Sequence, residues 1–224
     1  MKKIFLLAGL AATISTGAFA QARAGGELSS KDYTGGGSTG SRNTGFGIKG
    51  GYNYTNVYGD GTKNFDLKGY SGFHAGVYGQ FGFNEFASVQ VELLYSRKGF
   101  ESSRTGSLAV TTERRLDYLQ LPILFVGNIT ETLSFHIGPQ ISLLTKVLEN
   151  GTNVAIADKG YNSLDYGGVA GVEARVGPAR VGARYDLGFG KIYNADKLSV
   201  QTTQFKDRVS NGTLELYVGI GFTQ

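Results

Sequence analysis

From Gly45 onward the chain alternates between large apolar and small or polar residues with a period of two. This is the mark of extended strands with two unlike faces. Eight such runs can be read, at about 45–55, 72–83, 87–98, 115–126, 132–145, 165–176, 179–190 and 213–223. In the first, Phe46, Ile48, Tyr52 and Tyr54 share one face, and Gly47, Lys49, Gly51, Asn53 and Thr55 share the other. In the last, Leu214, Leu216, Val218, Ile220 and Phe222 oppose Glu215, Tyr217, Gly219 and Gly221. Leu94, Leu124, Leu144 and Val169 interrupt the alternation and predict a few apolar side chains on the polar side.

The connections sort by length. Those after the first, third, fifth and seventh runs are long, at about 56–71, 99–114, 146–164 and 191–212. Those after the second, fourth and sixth are short, at about 84–86, 127–131 and 177–178. Long loops at one end and tight turns at the other are the pattern of bacterial outer-membrane barrels, whose short turns are periplasmic. An even number of strands then puts both termini on the periplasmic side. A β-sandwich does not sort its loops this way. A soluble ligand-binding barrel turns its apolar face inward, yet here the polar faces are crowded with glycines and opposite charges, which suits a filled interior. The expected fold is therefore all-β, an eight-stranded antiparallel transmembrane β-barrel whose apolar faces meet lipid.

The N-terminus agrees with export. Lys2 and Lys3, the apolar stretch 4–12 and Ala18-Phe19-Ala20 make a signal peptide over 1–20, with cleavage before Gln21. A Gly/Ser-rich segment, 21–44, follows as a flexible periplasmic linker, and 45–224 is the barrel domain. Composition adds strand bias: 35 of 224 residues are Gly and 27 are Tyr or Phe, against 3 Pro. With no cysteine, a lipoprotein anchor, disulfides and thiol chemistry are excluded. Removing Lys2 and Lys3 from the formal +4 leaves +2, which gives no argument for a nucleic-acid partner.

Several segments resemble the small outer-membrane barrels of Bacteroidota known as PorT-like or "porin family" proteins. They are Gly47-Ile48-Lys49-Gly50-Gly51, Gly72-Phe73-His74-Ala75-Gly76-Val77, Glu92-Leu93-Leu94-Tyr95-Ser96-Arg97-Lys98-Gly99, Tyr118-Leu119-Gln120-Leu121-Pro122 and Ala183-Arg184-Tyr185-Asp186-Leu187-Gly188. The resemblance spans about 44–224. It implies an eight-stranded barrel of OmpA/OmpX type and leaves function open, a few members assisting protein secretion. Gln120 stands where a glutamate is usual, and the chain ends Phe222-Thr223-Gln224 rather than on an aromatic residue.

Candidate chemistry is sparse. Gly45-Phe46-Gly47-Ile48-Lys49-Gly50 fits G-x-G-x-x-G, but a linker precedes it and a strand contains it, so the dinucleotide reading fails. His74 and His136 are the only histidines in the sequence, and Ser134 shares the face of His136. No nucleophile elbow accompanies them, and two histidines on separate strands are too few for a metal site. No cofactor is expected. The Asn-x-Ser/Thr sequons at Asn53, Asn128, Asn150 and Asn211 are expected by chance.

What remains is structural. Lys49, Glu92, Lys98, Glu173, Arg175, Arg180, Arg184, Asp186 and Glu215 fall on inward faces and predict a lumen charge cluster. A two-residue turn at Gly177-Pro178 sets Arg175 against Arg180 and Glu173 against Gly182, with Glu173 between Arg180 and Arg184. Tyr52, Tyr54, Tyr95, Tyr185 and Phe189, with Phe100, fall toward the long-loop ends; Phe83, Phe125, Phe135 and Phe222, with Phe86, fall toward the short turns. These are expected to form two aromatic girdles. A barrel this small is filled by its own side chains. The expected role is structural or accessory, with no enzymatic activity; a narrow pore and a lipid-modifying enzyme are the alternatives. The expected partners are outer-membrane lipid, the barrel-assembly machinery and a protein bound at the extracellular loops.

Overall fold

A computed structural model describes residues 43–58, 66–103, 111–156, 161–190, 192 and 210–222. Residues 1–20, expected as a signal peptide, and nearly all of 21–44, expected as a linker, lie outside the described residues. Nine strands follow in order: β1 (Gly45–Tyr58), β2 (Asp66–Gly82), β3 (Ala87–Ser103), β4 (Thr111–Asn128), β5 (Leu133–Glu149), β6 (Thr152–Val154), β7 (Leu164–Val176), β8 (Ala179–Gly188) and β9 (Ser210–Phe222). All neighbours are antiparallel. β9 pairs with β1 from Phe222 against Phe46 to Ser210 against Tyr58, and β5 pairs with both β4 and β7. Eight strands thus close into a barrel, and β6 is a short hairpin arm on β5.

Most strands run further into the long loops than the alternation suggests. β2 begins at Asp66 rather than 72, and β3 ends at Ser103 rather than 98. These outer ends are polar and alternate poorly, yet ladder pairing satisfies their backbone groups as well as water would. The β5–β6 hairpin turns at Asn150-Gly151, whose φ values of 49° and 80° are both positive. Two positive φ values are what a type I′ turn requires, and Asn-Gly is its preferred pair. The β7–β8 turn places Gly177 at φ 60° before Pro178, as a II′ turn demands. Its register is as expected, with Arg175 against Arg180 and Glu173 against Gly182.

Burial is inverted relative to a soluble barrel. Val176 and Val218 are 76% and 63% exposed on the outer wall, whereas Glu173 and Glu215 are 1% and 0% exposed inside. The nine other-face aromatics, Tyr52, Tyr54, Phe83, Tyr95, Phe125, Phe135, Tyr185, Phe189 and Phe222, all lie outward. Phe100 does not: it is fully buried, because even-numbered β3 residues from Ser88 to Ser102 point inward.

A one-residue bulge re-aims the outer half of β5. Asp117 pairs with Lys146 and Tyr118 with Leu144, leaving Thr145 without a counterpart; its hydroxyl donates to the Asp117 carbonyl at 2.8 Å. The extra residue flips the parity beyond it. Leu144 is buried by the inward even parity of the inner half; beyond the bulge the odd-numbered Val147 is buried, while Lys146 is exposed.

Candidate functional site in the barrel lumen

Inward positions on all eight long strands supply a column of polar side chains, and their pairing follows strand by strand from the register. Nearest the short turns, Glu173 on β7 receives Arg180 at 3.2 Å and Arg175 at 3.4 Å, and Tyr217 donates to its other oxygen at 3.0 Å. Arg180 also donates to Gln80 at 2.8 Å and stacks over the Tyr78 ring at 4.7 Å. Above it, Glu92 takes Lys49 and Arg184, each at 2.6 Å, and Arg184 bridges on to Glu215. Higher still, Lys98 pairs with Asp186, which also accepts from Gln140 at 2.7 Å and Gln120 at 3.1 Å. Charges this deep persist only where they are paired and hydrogen-bonded.

All nine charged residues singled out from the sequence therefore point inward, but the grouping differs in one respect. Arg184 does not join Arg180 around Glu173. It sits beside Glu215 across the β8–β9 ladder and reaches over the lumen to Glu92. Diagonal neighbours on a ladder were a weaker guide than a carboxylate directly opposite.

Glycines make this packing possible at two places. A Cβ at Gly47 would strike the Tyr78 ring, and one at Gly182 would strike the Tyr217 ring. The bare backbone lets each tyrosine lie flat across the neighbouring strand, a pairing of aromatic with glycine that also holds register. Lys49 then rests over the Tyr217 ring at 4.1 Å.

The column is closed at both ends. Toward the long loops, Val57, Phe100, Leu116, Tyr118, Leu144, Val147, Tyr161 and Ile192 form an apolar plug. The loop residues in it are tied by Tyr161 N–H to the Ile156 carbonyl and Asn162 N–H to the Ile192 carbonyl. Toward the short turns, Asn43 is buried ahead of β1. Its amide donates to the carbonyls of Asn84 at 2.7 Å and Glu85 at 2.8 Å, and its carbonyl accepts from Asn128 at 2.8 Å and Arg175 at 3.3 Å. The sequence reading missed both closures. Asn43 fell inside the presumed linker, and Tyr161 and Ile192 lie in loops where periodicity says nothing.

Ser134 and His136 approach to 3.4 Å, and Glu173 lies 3.9 Å from the same Nε2. A hydrolytic triad instead sets the acid on the opposite ring nitrogen. Ser134 is also the second residue of β5, buried at the short-turn end. His74 is occupied by Asn53 at 2.5 Å. Among the described residues no group of three or more His, Cys, Asp and Glu side chains is arranged to hold a metal ion.

Residues 19–194 match the family model described as outer membrane protein beta-barrel domain. The chain belongs to that family. The protein is thus an outer-membrane β-barrel, and its polar lumen and lipid-facing apolar wall are those of a membrane barrel. Among solved structures, Neisserial surface protein A (NspA) is 14% identical, with a TM-score of 0.52 over 79% of this chain and 97% of its own. Ail of Yersinia pestis, in complex with the heparin analogue sucrose octasulfate, is 22% identical, with a TM-score of 0.48 over 80% and 99%. OprG from Pseudomonas aeruginosa is 13% identical, with a TM-score of 0.43 over 83% and 99%. At these identities the NspA likeness concerns the fold alone. No curated protein matches the chain.

Proposed function

We propose that this outer-membrane barrel is a closed, non-conducting and non-catalytic element that acts through its long-loop end, with both termini in the periplasm. The observation that carries the reading is the double closure of the lumen: an apolar plug at one end, Asn43 with Arg175 at the other, and paired charges between. A column so filled leaves the loops and the outer wall as the surfaces on which partners act. The PorT-like resemblance of the strand segments fits an accessory role of this kind, with the barrel-assembly machinery as its partner during insertion and a protein ligand at the extracellular loops.

Planar-bilayer recordings of the purified barrel should show no steady conductance. Stable, porin-like steps would overturn the closed reading in favour of a narrow pore.

Topology is tested by single cysteines in the cysteine-free chain. Cysteine at Ser103 or Asn153, beside the long loops, should react with a membrane-impermeant thiol reagent on whole cells. Cysteine at Glu85 or Glu131, in the short turns, should react only after the outer membrane is opened. The reverse pattern would invert the orientation.

A further inference from the structure

The outer wall carries a charged patch that the lumen network does not explain. On the outward faces of β3 and β4, Asp117 accepts from Arg97 on one carboxylate oxygen at 3.1 Å and from Arg115 on both, at 3.2 and 3.1 Å. Lys146, turned outward by the β5 bulge, stands directly across the ladder from Asp117 and is exposed. Two cations thus hold one carboxylate, and a third stands opposite it on the next strand. Asp117 is itself almost fully covered, with a side-chain exposure of 3%, whereas Arg97 and Arg115 remain 24% exposed. Two positive charges are left over at this level of the wall.

The position of the patch is specific. On the short-turn side the next rung is Tyr95 against Leu119, where the apolar belt begins. Arg97 lies over the Phe73 ring at 4.7 Å, and its guanidinium donates to the Tyr95 hydroxyl at 3.4 Å. On the loop side, Glu101 and Glu113 face each other two rungs beyond Arg115, and Lys68 faces Glu101. The cations therefore sit between aromatic rings that mark the membrane interface and a more acidic rim further out. A bare cation in the wall is costly at the bilayer midplane and far less so at the interface. Interfacial cations in excess of local carboxylates attract anionic headgroups.

We propose that Arg97, Arg115 and Lys146 form a binding site for the phosphate of an anionic lipid headgroup, a phosphorylated glycolipid in the leaflet at the long-loop end. Asp117 positions the two arginines, clamping each guanidinium so that its remaining N–H groups are presented along the wall. Lys146 supplies a mobile third charge. The choice of a glycolipid rests on the long-loop end being the outer-leaflet side, which the cysteine labelling above tests separately.

Native mass spectrometry of the purified full-length barrel in neutral detergent provides the test. The probes are lipid A, its fully dephosphorylated form, phosphatidylcholine and inorganic phosphate. Lipid A should be retained, while the dephosphorylated and zwitterionic lipids are stripped. At about fivefold per surface charge, Lys146→Gln should weaken retention about fivefold, and the Arg115→Gln/Lys146→Gln pair about 25-fold. Lys146→Arg should restore wild-type retention. Equal retention of the dephosphorylated lipid, no loss in the double variant, or displacement of lipid A by inorganic phosphate at matched concentration would each overturn the proposal. Because Lys146 is exposed, its variants should keep the heat-modifiable gel shift of the folded barrel, which separates lost binding from lost folding.

Discussion

Exchanging Arg184 for methionine lowers the unfolding free energy of the barrel by about 3–5 kcal/mol, because it leaves buried carboxylates without their shared cation. Arg184 joins Glu92 to Glu215, and all three side chains are 0–1% exposed. Glu92 retains Lys49, so the larger share of the loss falls on Glu215. The contrast with a concerted change makes the prediction sharp. Replacing a whole buried ion group by apolar residues of similar volume is often neutral or stabilising. Arg184→Met combined with Glu215→Leu should therefore recover much of the single variant's loss. Denaturant titrations in detergent micelles, followed by the heat-modifiable gel shift, measure both. A single variant as stable as wild type would mean that water, rather than the partner side chains, solvates these carboxylates.

The second large effect belongs to the plug. Phe100→Ala removes a fully buried ring packed among Val57, Leu116 and Val147, and should cost about 3–5 kcal/mol. Phe222→Ala, at an outward position 45% exposed beside Phe46, removes a ring that keeps part of its surface outside the protein and should cost clearly less. Comparable costs at the two positions would show that the plug is not packed. The charged layers beneath remain in place, so Phe100→Ala alone should not open a conducting path.

The wall of the barrel is legible in the sequence because alternation there has one physical cause. Lipid on one side and a polar interior on the other act on every residue, so parity reports orientation directly. That logic places Lys49, Glu173 and Arg180 inside and Tyr185 and Phe222 outside without reference to any structure. It fails where something other than parity decides. At Thr145 a single inserted residue reverses the faces, and the only trace in the sequence is the doublet Leu143-Leu144. Phe100 reads as one more interfacial aromatic because aromatic rings suit both a girdle and a plug, and only its even parity distinguishes them. Asn150-Gly151 was available as a hairpin signal, but it lies among weakly alternating residues. The partners of Arg184 lie on β3 and β9, far away in sequence, and depend on how the circle of strands closes. No local pattern encodes that closure.

Asn43 carries a consequence for the order of assembly. Its amide group joins backbone or side-chain atoms 41, 42, 85 and 132 residues further along the chain. The partners come from the β2–β3 turn, the end of β4 and the end of β7, so the complete set exists only after most of the wall has been laid down. A chain threading into the membrane from its first strand has nothing to hold this residue until late. Asn43 is then secured beneath the lumen only once β7 is in place, two strands before β9 can meet β1, which makes it a marker of a largely completed wall rather than a starting point for building one.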